Sequence, residues 1–321
     1  MKTNRIGRTA VEVTDISFGC AGLGNLFRKV EDETAEAVLA RAWERGIRYF
    51  DTAPHYGRGL SEERLGRFLK TRGRTDYVLS TKVGRLLSPG PAVAEADGFV
   101  EPLPNTVRYD YSGDGIEAAF EQSCERLGTT RIDIVYVHDI GAYTHGDDND
   151  RHMADLMGSG IDRLQTLKAA GRIGAFGLGV NENRVCIDIM AETEIDVILL
   201  AGRLTLLDRS AEAELVPLCR SKGVSLVLGG IFNSGILATG PVPGAHYDYG
   251  PAPDDILAKV GELESRAKAA GVSLPQAALR FALTHPQAAS ALIGTAKLTS
   301  LDRNLDAAEA PWPSAADALL A

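Results

Sequence analysis

The stretch Ile47-Arg48-Tyr49-Phe50-Asp51-Thr52-Ala53-Pro54-His55-Tyr56-Gly57 decides the fold. An apolar run of strand composition breaks at Asp51 into a polar turn, then passes through Leu60-Ser61-Glu62-Glu63 into a helical pattern. Upstream, residues 16–19 read as a short strand and 33–45 as an amphipathic helix ended by Gly46. Strand, helix and strand at this spacing make a βαβ unit.

Working outward, the same alternation recurs. Further strands are expected at 77–81, 132–137, 175–180, 197–200, 224–228 and 289–293. Helices are expected at 62–70, 116–127, 161–170, 182–191, 211–221, 256–270, 274–284 and 300–308. Eight strands with helical crossovers in 321 residues fit a (β/α)8 TIM barrel better than an open sheet, as one domain over 1–321. Ile6-Gly7-Arg8-Thr9-Ala10-Val11-Glu12-Val13 suits an N-terminal β-hairpin lying outside the main core. Long loops are expected after strand three (87–113) and strand seven (238–253), where a barrel builds its pocket walls. The run Asp147-Asp148-Asn149-Asp150 reads as a solvated loop.

With 45% apolar and 24% charged residues, the chain has material for a sizeable core. A formal net charge of -9 argues against nucleic-acid or anionic-membrane partners, which need clustered Lys and Arg. The first residues carry no apolar secretory segment, and no run is long enough to span a bilayer, so a cytoplasmic location is expected. Cys20, Cys124, Cys186 and Cys219 are widely spaced, which suits reduced thiols, and no metal site is expected.

In a barrel every strand C-terminus points to one face. Asp51, Lys82 and His138 therefore come from three adjacent strand ends, with Tyr56 five residues past Asp51 at the same mouth. Any one of them alone reads more simply as a cap, a surface lysine or a core histidine. Together they assign four jobs. Lys82 favours the phenolate of Tyr56 and lowers its pKa, Asp51 holds Lys82, and His138 hydrogen-bonds the reacting oxygen.

These stretches, with Ser80-Thr81-Lys82-Val83-Gly84, Ile134-Val135-Tyr136-Val137-His138-Asp139 and Gly171-Arg172-Ile173-Gly174-Ala175-Phe176-Gly177, resemble the aldo-keto reductase superfamily over essentially the whole chain. The resemblance implies a barrel that binds a nicotinamide dinucleotide without a Rossmann domain, with Tyr56 as proton donor or acceptor. Gly19-Cys20-Ala21-Gly22-Leu23-Gly24 indeed has the wrong glycine spacing for a dinucleotide fingerprint. By the same resemblance Asn181 holds the nicotinamide amide, and Gly294, Thr295, Ala296 and Lys297 with Asn304 surround the adenosine phosphate and adenine. Two positions depart from the family pattern: Ala201 replaces a glutamine, and Gly229 replaces the aromatic that stacks on nicotinamide. Leu301 or Ser300 replaces an arginine of NADP-preferring members, so NAD is favoured, with NADP kept open by Lys297.

Within the superfamily, the segments 199–207, 232–237 and 109–112 resemble bacterial L-fucose or D-threo-aldose 1-dehydrogenases, with L-galactose and pyridoxal 4-dehydrogenases as relatives. That resemblance implies a small-molecule substrate, a cyclic hemiacetal aldose oxidised at C1 to the lactone. Pyridoxal oxidised to 4-pyridoxolactone and general aldehyde reduction are the alternatives. His55, Arg85, Tyr109, Asp139, Arg203, Phe232 and Asn233 are candidate pocket walls. Competing classes are a Schiff-base or metal barrel and a cofactor-binding regulatory protein without turnover.

Overall fold

The computed structural model describes residues 1–320. Eight parallel strands close into a barrel, here β1 (Ile16–Gly19), β2 (Tyr49–Asp51), β3 (Val78–Val83), β4 (Ile132–His138), β5 (Ile173–Val180), β6 (Val197–Ala201), β7 (Ser225–Gly229) and β8 (Ala288–Ile293). They neighbour one another in sequence order, β8 pairing with β1 to complete the ring. This is the (β/α)8 architecture expected from the alternation.

Because side chains alternate along a strand, each strand sorts its residues between two environments. On β4, Val135 and Val137 pack outward on the helices, while Ile134 and Tyr136 face the barrel interior. The same period turns Tyr49 and Asp51 of β2 inward, and the registers Asp51↔Ser80 and Lys82↔Tyr136 bring neighbouring inward residues level. Gly179 of β5 makes room for this layer: a Cβ there would stand 3.2 Å from Tyr136 Cβ and 3.5 Å from Lys82 Cε.

The helices behind the strands carry ordinary end signals. Ser112 caps Gly113–Leu127 by accepting from the Gly115 N–H at 3.2 Å, and Gly128, at φ +67°, ends it. Ser273 caps Leu274–Thr284, with Pro275 in the first turn.

Three expectations need correction. The N-terminal hairpin, Thr3–Arg5 against Glu12–Thr14, does not lie outside the core. Its Ile6, Val11 and Val13 close the bottom of the barrel against Tyr49, Ile134, Val197 and Val227, because the interior apolar layer would otherwise open to water there. The loop after β3 is largely a β-ribbon, Arg85–Pro89 paired with Asn105–Tyr109, with a smaller hairpin, Glu95–Ala96 and Phe99–Val100, at its tip. The acidic run is exposed but helical: it forms a 3-10 turn, Gly146–Asp148, that continues into the helix Asn149–Asp155. After β7 comes a four-residue helix, Ile236–Thr239, followed by two longer ones, Asp254–Ala269 and Leu274–Thr284, before β8. All four cysteines are buried and unpaired.

Candidate active site

Asp51, the last residue of β2, is 1% exposed, and Lys82, next to last in β3, is 2% exposed. The Lys82 ammonium donates to Asp51 Oδ2 at 2.7 Å and to the Thr52 carbonyl at 2.9 Å, and Ser80 Oγ donates to Asp51 Oδ1 at 2.7 Å. Burial alone would pull the Lys82 pKa down, but the Asp51 carboxylate and the Tyr56 hydroxyl outweigh it and the net direction is up. Lys82 is therefore a fixed cation.

Tyr56 is presented by a turn that its neighbours lock. Thr52 Oγ1 and Ser61 Oγ meet at 2.9 Å, Ser61 Oγ donates to the Cys20 carbonyl at 2.8 Å, and the Ser61 N–H donates to the Tyr56 carbonyl at 3.1 Å. Gly24 packs on the same turn, where a Cβ would come within 2.6 Å of the Tyr56 backbone. The glycines with the wrong spacing for a phosphate loop therefore include one needed for close approach. Lys82 Nζ lies 4.7 Å from the Tyr56 ring centroid.

Tyr56 corrects one expectation. Lys82 does draw its pKa down, but the desolvating surroundings weigh more, and the net direction is up from the ordinary value. Part of the ring still faces the cavity. In the free protein Tyr56 is thus a neutral phenol at neutral pH.

His138 closes β4 with its ring perpendicular to that of Tyr56, centroids 6.0 Å apart. Its carbonyl accepts from Tyr111 Oη at 2.7 Å, and its Nδ1 is buried without a partner. Burial, with the cations Arg85 and Lys82, holds its pKa well below the ordinary histidine range, so the ring is neutral. Asp139, in the left-handed region at φ +50°, turns its carboxylate to within 3.4 Å of His138 Nε2 and pairs with Arg85. His55 meets His138 at 5.9 Å and Phe99 at 5.3 Å between centroids, and burial with nearby cations drives its pKa down to about 3.

His55, Tyr56, Lys82, His138 and Asp139 line a cavity of about 390 Å³ together with Asn181, Leu26, Phe27, Asp97, Phe99, Ala201 and Tyr249. It adjoins a second of about 660 Å³ that shares Leu26, Phe27, Ala201 and Tyr249 and runs past Gly230 to Phe232, Asn233, Ser234 and Gly294. Of the expected pocket walls, His55 and Asp139 face the first cavity, and Phe232 and Asn233 the second. Asn233 is bound to the Gly202 carbonyl and Thr205 Oγ1, so it clamps two loops. Arg203 donates to the Asn181 carbonyl at 2.7 Å and pairs with Asp248 at 2.9 Å. Arg85 is taken up by Asp139, and Tyr109, 37% exposed, stacks outside on Tyr111 and meets His145 edge to face.

Of the residues expected around the nucleotide, Asn181 lines the first cavity and Gly294 the second. Thr295, Ala296 and Lys297 lead into the helix Leu298–Glu309, whose first turn has no side-chain cap and no acidic residue. That terminus offers free N–H groups beside a lysine, and Asn304 lies one turn further on. Gly229 is buried at the end of β7, and Gly230 beside it, at φ +58°, takes a conformation suited to glycine. The arrangement fits an extended phosphate-bearing dinucleotide. Phe27, Phe99, Tyr249 and Ser234 were missed by sequence reasoning; an aromatic inside a polar, Gly-bearing loop, as in Tyr247-Asp248-Tyr249, is the signal that could have found Tyr249.

Residues 15–316 match the Aldo/keto reductase family. The chain belongs to that family. It is thereby an oxidoreductase, of a family that works with nicotinamide nucleotides. Among curated relatives, it is 40% identical to a pyridoxal 4-dehydrogenase of Microbacterium luteolum, over 94% of this chain and 91% of the relative. It is 37% identical to a D-threo-aldose 1-dehydrogenase of a Pseudomonas species, over 95% and 94%. Among solved structures, a holo aldo-keto reductase from Bacillus halodurans superposes with a TM-score of 0.78 at 26% identity, covering 98% of this chain and 93% of that one. The matched span holds the whole barrel with Asp51, Tyr56, Lys82 and His138.

Proposed function

We propose that this aldo-keto reductase oxidises a cyclic hemiacetal at its anomeric carbon to the lactone, with NAD favoured over NADP as the hydride acceptor. The observation that carries the reading is the 390 Å³ cavity that joins Tyr56, Lys82 and His138 to four further polar groups, His55, Asp97, Asp139 and Asn181. When bound, the nicotinamide ring supplies the acceptor for the hydride leaving the anomeric carbon. Asn181 would hold its amide, and Gly294 to Lys297 its distal phosphates.

The protein's own residues handle the proton. Loss of hydride from carbon and of a proton from the attached hydroxyl together make the two-electron oxidation, and Tyr56 Oη receives that proton once ionised. Lys82 stabilises the phenolate, Asp51 keeps Lys82 in place, and neutral His138 donates from Nε2 to the same substrate oxygen. Asp139 accepts from a ring hydroxyl next to the reacting carbon, which a sugar offers and a simple aldehyde does not.

Pyridoxal is the second reading. Its aldehyde closes on the neighbouring hydroxymethyl group to form an internal hemiacetal, so the same step gives 4-pyridoxolactone. The aromatic edges of Phe27, Phe99 and Tyr249 in the cavity favour it, as does the relative at 40% identity. Initial rates with L-fucose, D-arabinose, L-galactose and pyridoxal, each with NAD and NADP, separate the two. The sugars are expected to turn over fastest with NAD; no turnover of any of the four overturns the proposal.

A further inference from the structure

Tyr111 is fully buried and has no part in the reaction described above, yet it is wedged between the two strand ends that carry Lys82 and His138. Its hydroxyl donates to the His138 carbonyl at 2.7 Å, and His145 Nε2 lies 2.9 Å from the same oxygen. A carbonyl only accepts, so the one hydroxyl hydrogen goes to His138, and the hydrogen in the second contact belongs to His145. Tyr111 Oη gives to one histidine and takes from the other.

The ring is fixed as well. Gly84, two residues past Lys82 and at φ +98°, lies against it, and a Cβ there would collide with Tyr111 Cε1. The edges of His145 and His152 stand 5.5 and 5.2 Å away between centroids, and Tyr109 stacks on it at 6.3 Å. The Asp110 N–H donates to the Gly84 carbonyl at 3.0 Å, which ties this backbone to the end of β3.

What Tyr111 holds is the peptide where β4 stops. Asp139 leaves the strand in the left-handed region, so strand geometry no longer sets the plane of the 138–139 peptide. Two hydrogen bonds set it instead: the Asp139 N–H donates to the Gly179 carbonyl at 2.9 Å, and the His138 carbonyl accepts from Tyr111. With the N–H alone pinned, that plane could turn and swing the His138 side chain with it.

We infer that Tyr111 is a positioning residue for His138: by pinning the carbonyl side of this peptide it fixes where the imidazole points, and His145 holds Tyr111 in turn. The consequence for the reacting oxygen rests on the redox reading above; the orientation of the ring does not.

His138-Asp139 is the one His-Asp pair in the chain, so protein with 13C at histidine carbonyls and 15N at aspartate amides gives a single NMR cross-peak from that peptide. Tyr111→Phe removes one oxygen and keeps the ring. It should displace this peak and also the 1H–13C signal of the His138 ring, identified by its loss in His138→Gln. Turnover should fall by about tenfold or more while KM and the dissociation constant for NAD stay within about twofold, because a misdirected group costs rate and not binding. His145→Ala should displace both signals less, and should add nothing in the Tyr111→Phe background. His145→Gln, which keeps an N–H, should restore them. A His138 ring signal that stays in place in Tyr111→Phe, or a kcat within about twofold of wild type, overturns the inference and leaves the hydroxyl a purely structural group. If Tyr111→Phe does not fold, the same readings are taken on His145→Ala. A wild type that oxidises none of the four hemiacetals sinks the functional reading, and the ring signal, which needs no substrate, still decides the role of Tyr111.

Discussion

The two sides of the barrel mouth are built in opposite ways. On the β2 to β4 side the strand ends carry Asp51, Lys82 and His138, and ion pairs and hydrogen bonds hold the acid and the amine. On the β6 to β8 side the corresponding positions are Ala201, Gly229 and Gly294, and the wall is backbone, loop and the uncapped start of Leu298–Glu309. The difference separates chemistry from holding. Removing a side chain from the first side should strike turnover, whereas the second side is disturbed by adding atoms.

The sharpest test of that division is Tyr56→Phe. It removes only the hydroxyl that takes the proton, so kcat should fall by about a thousandfold or more. The dissociation constant for NAD, read by fluorescence titration, should stay within about twofold. Comparable losses in both would mean that the two sides are not separate.

Next in size is Lys82→Met, which leaves Asp51 charged and unpaired in the barrel. Breaking a buried pair in this way costs about 3–5 kcal/mol, measurable by urea unfolding. Adding Asp51→Asn should restore most of the loss, because the orphaned charge and not the missing packing is responsible. No recovery in the double variant would show that Lys82 stabilises the fold mainly through its alkyl chain.

How far the sequence discloses each side follows from the same contrast. Asp51, Lys82 and His138 were legible because a polar residue ending an apolar strand run has few reasons to be there, and Tyr56 because it follows one of them by five residues. The fold was legible from the recurrence of strand and helix. What lay hidden depends on register or on partners distant in the chain. Tyr49 and Tyr136 meet across 87 residues, and nothing local in either strand marks the contact. Arg203 looked available to a substrate, but Asp248, 45 residues on, occupies it. The apolar face of the N-terminal hairpin gave no sign of filling the barrel floor, since that requires knowing that the barrel bottom is open. Phe99 lies in a loop without helical or strand period, yet the ribbon after β3 carries it to 6.2 Å from Tyr56.

On the holding side, Gly294→Ala is the informative change. A Cβ there would stand 2.9 Å from the Gly19 carbonyl oxygen, so the loop must shift. Overpacking of this kind costs roughly 1–3 kcal/mol, and expressed in binding it weakens nucleotide affinity by about tenfold or more. At saturating nucleotide kcat should be unchanged. A fall in kcat with affinity intact would place the loop on the chemical side of the mouth.

The smallest expected effect is a flat line. In the reductive direction the site needs Tyr56 protonated and His138 neutral. The Tyr56 pKa is displaced upward from its ordinary value by burial, so the phenol keeps its proton through neutral pH. The His138 pKa is displaced well below the ordinary histidine value by burial and by the cations Arg85 and Lys82, so the ring stays uncharged over the same window. Lys82, displaced upward, also keeps its charge. Reduction of an aldehyde at saturating substrate should therefore change by less than about twofold between pH 6 and 8, while oxidation, which needs the phenolate, climbs by up to about tenfold per pH unit. A step in the reductive profile near pH 6.5 would mean that His138 gains a proton there, and hence that water reaches the buried end of β4 in the working enzyme.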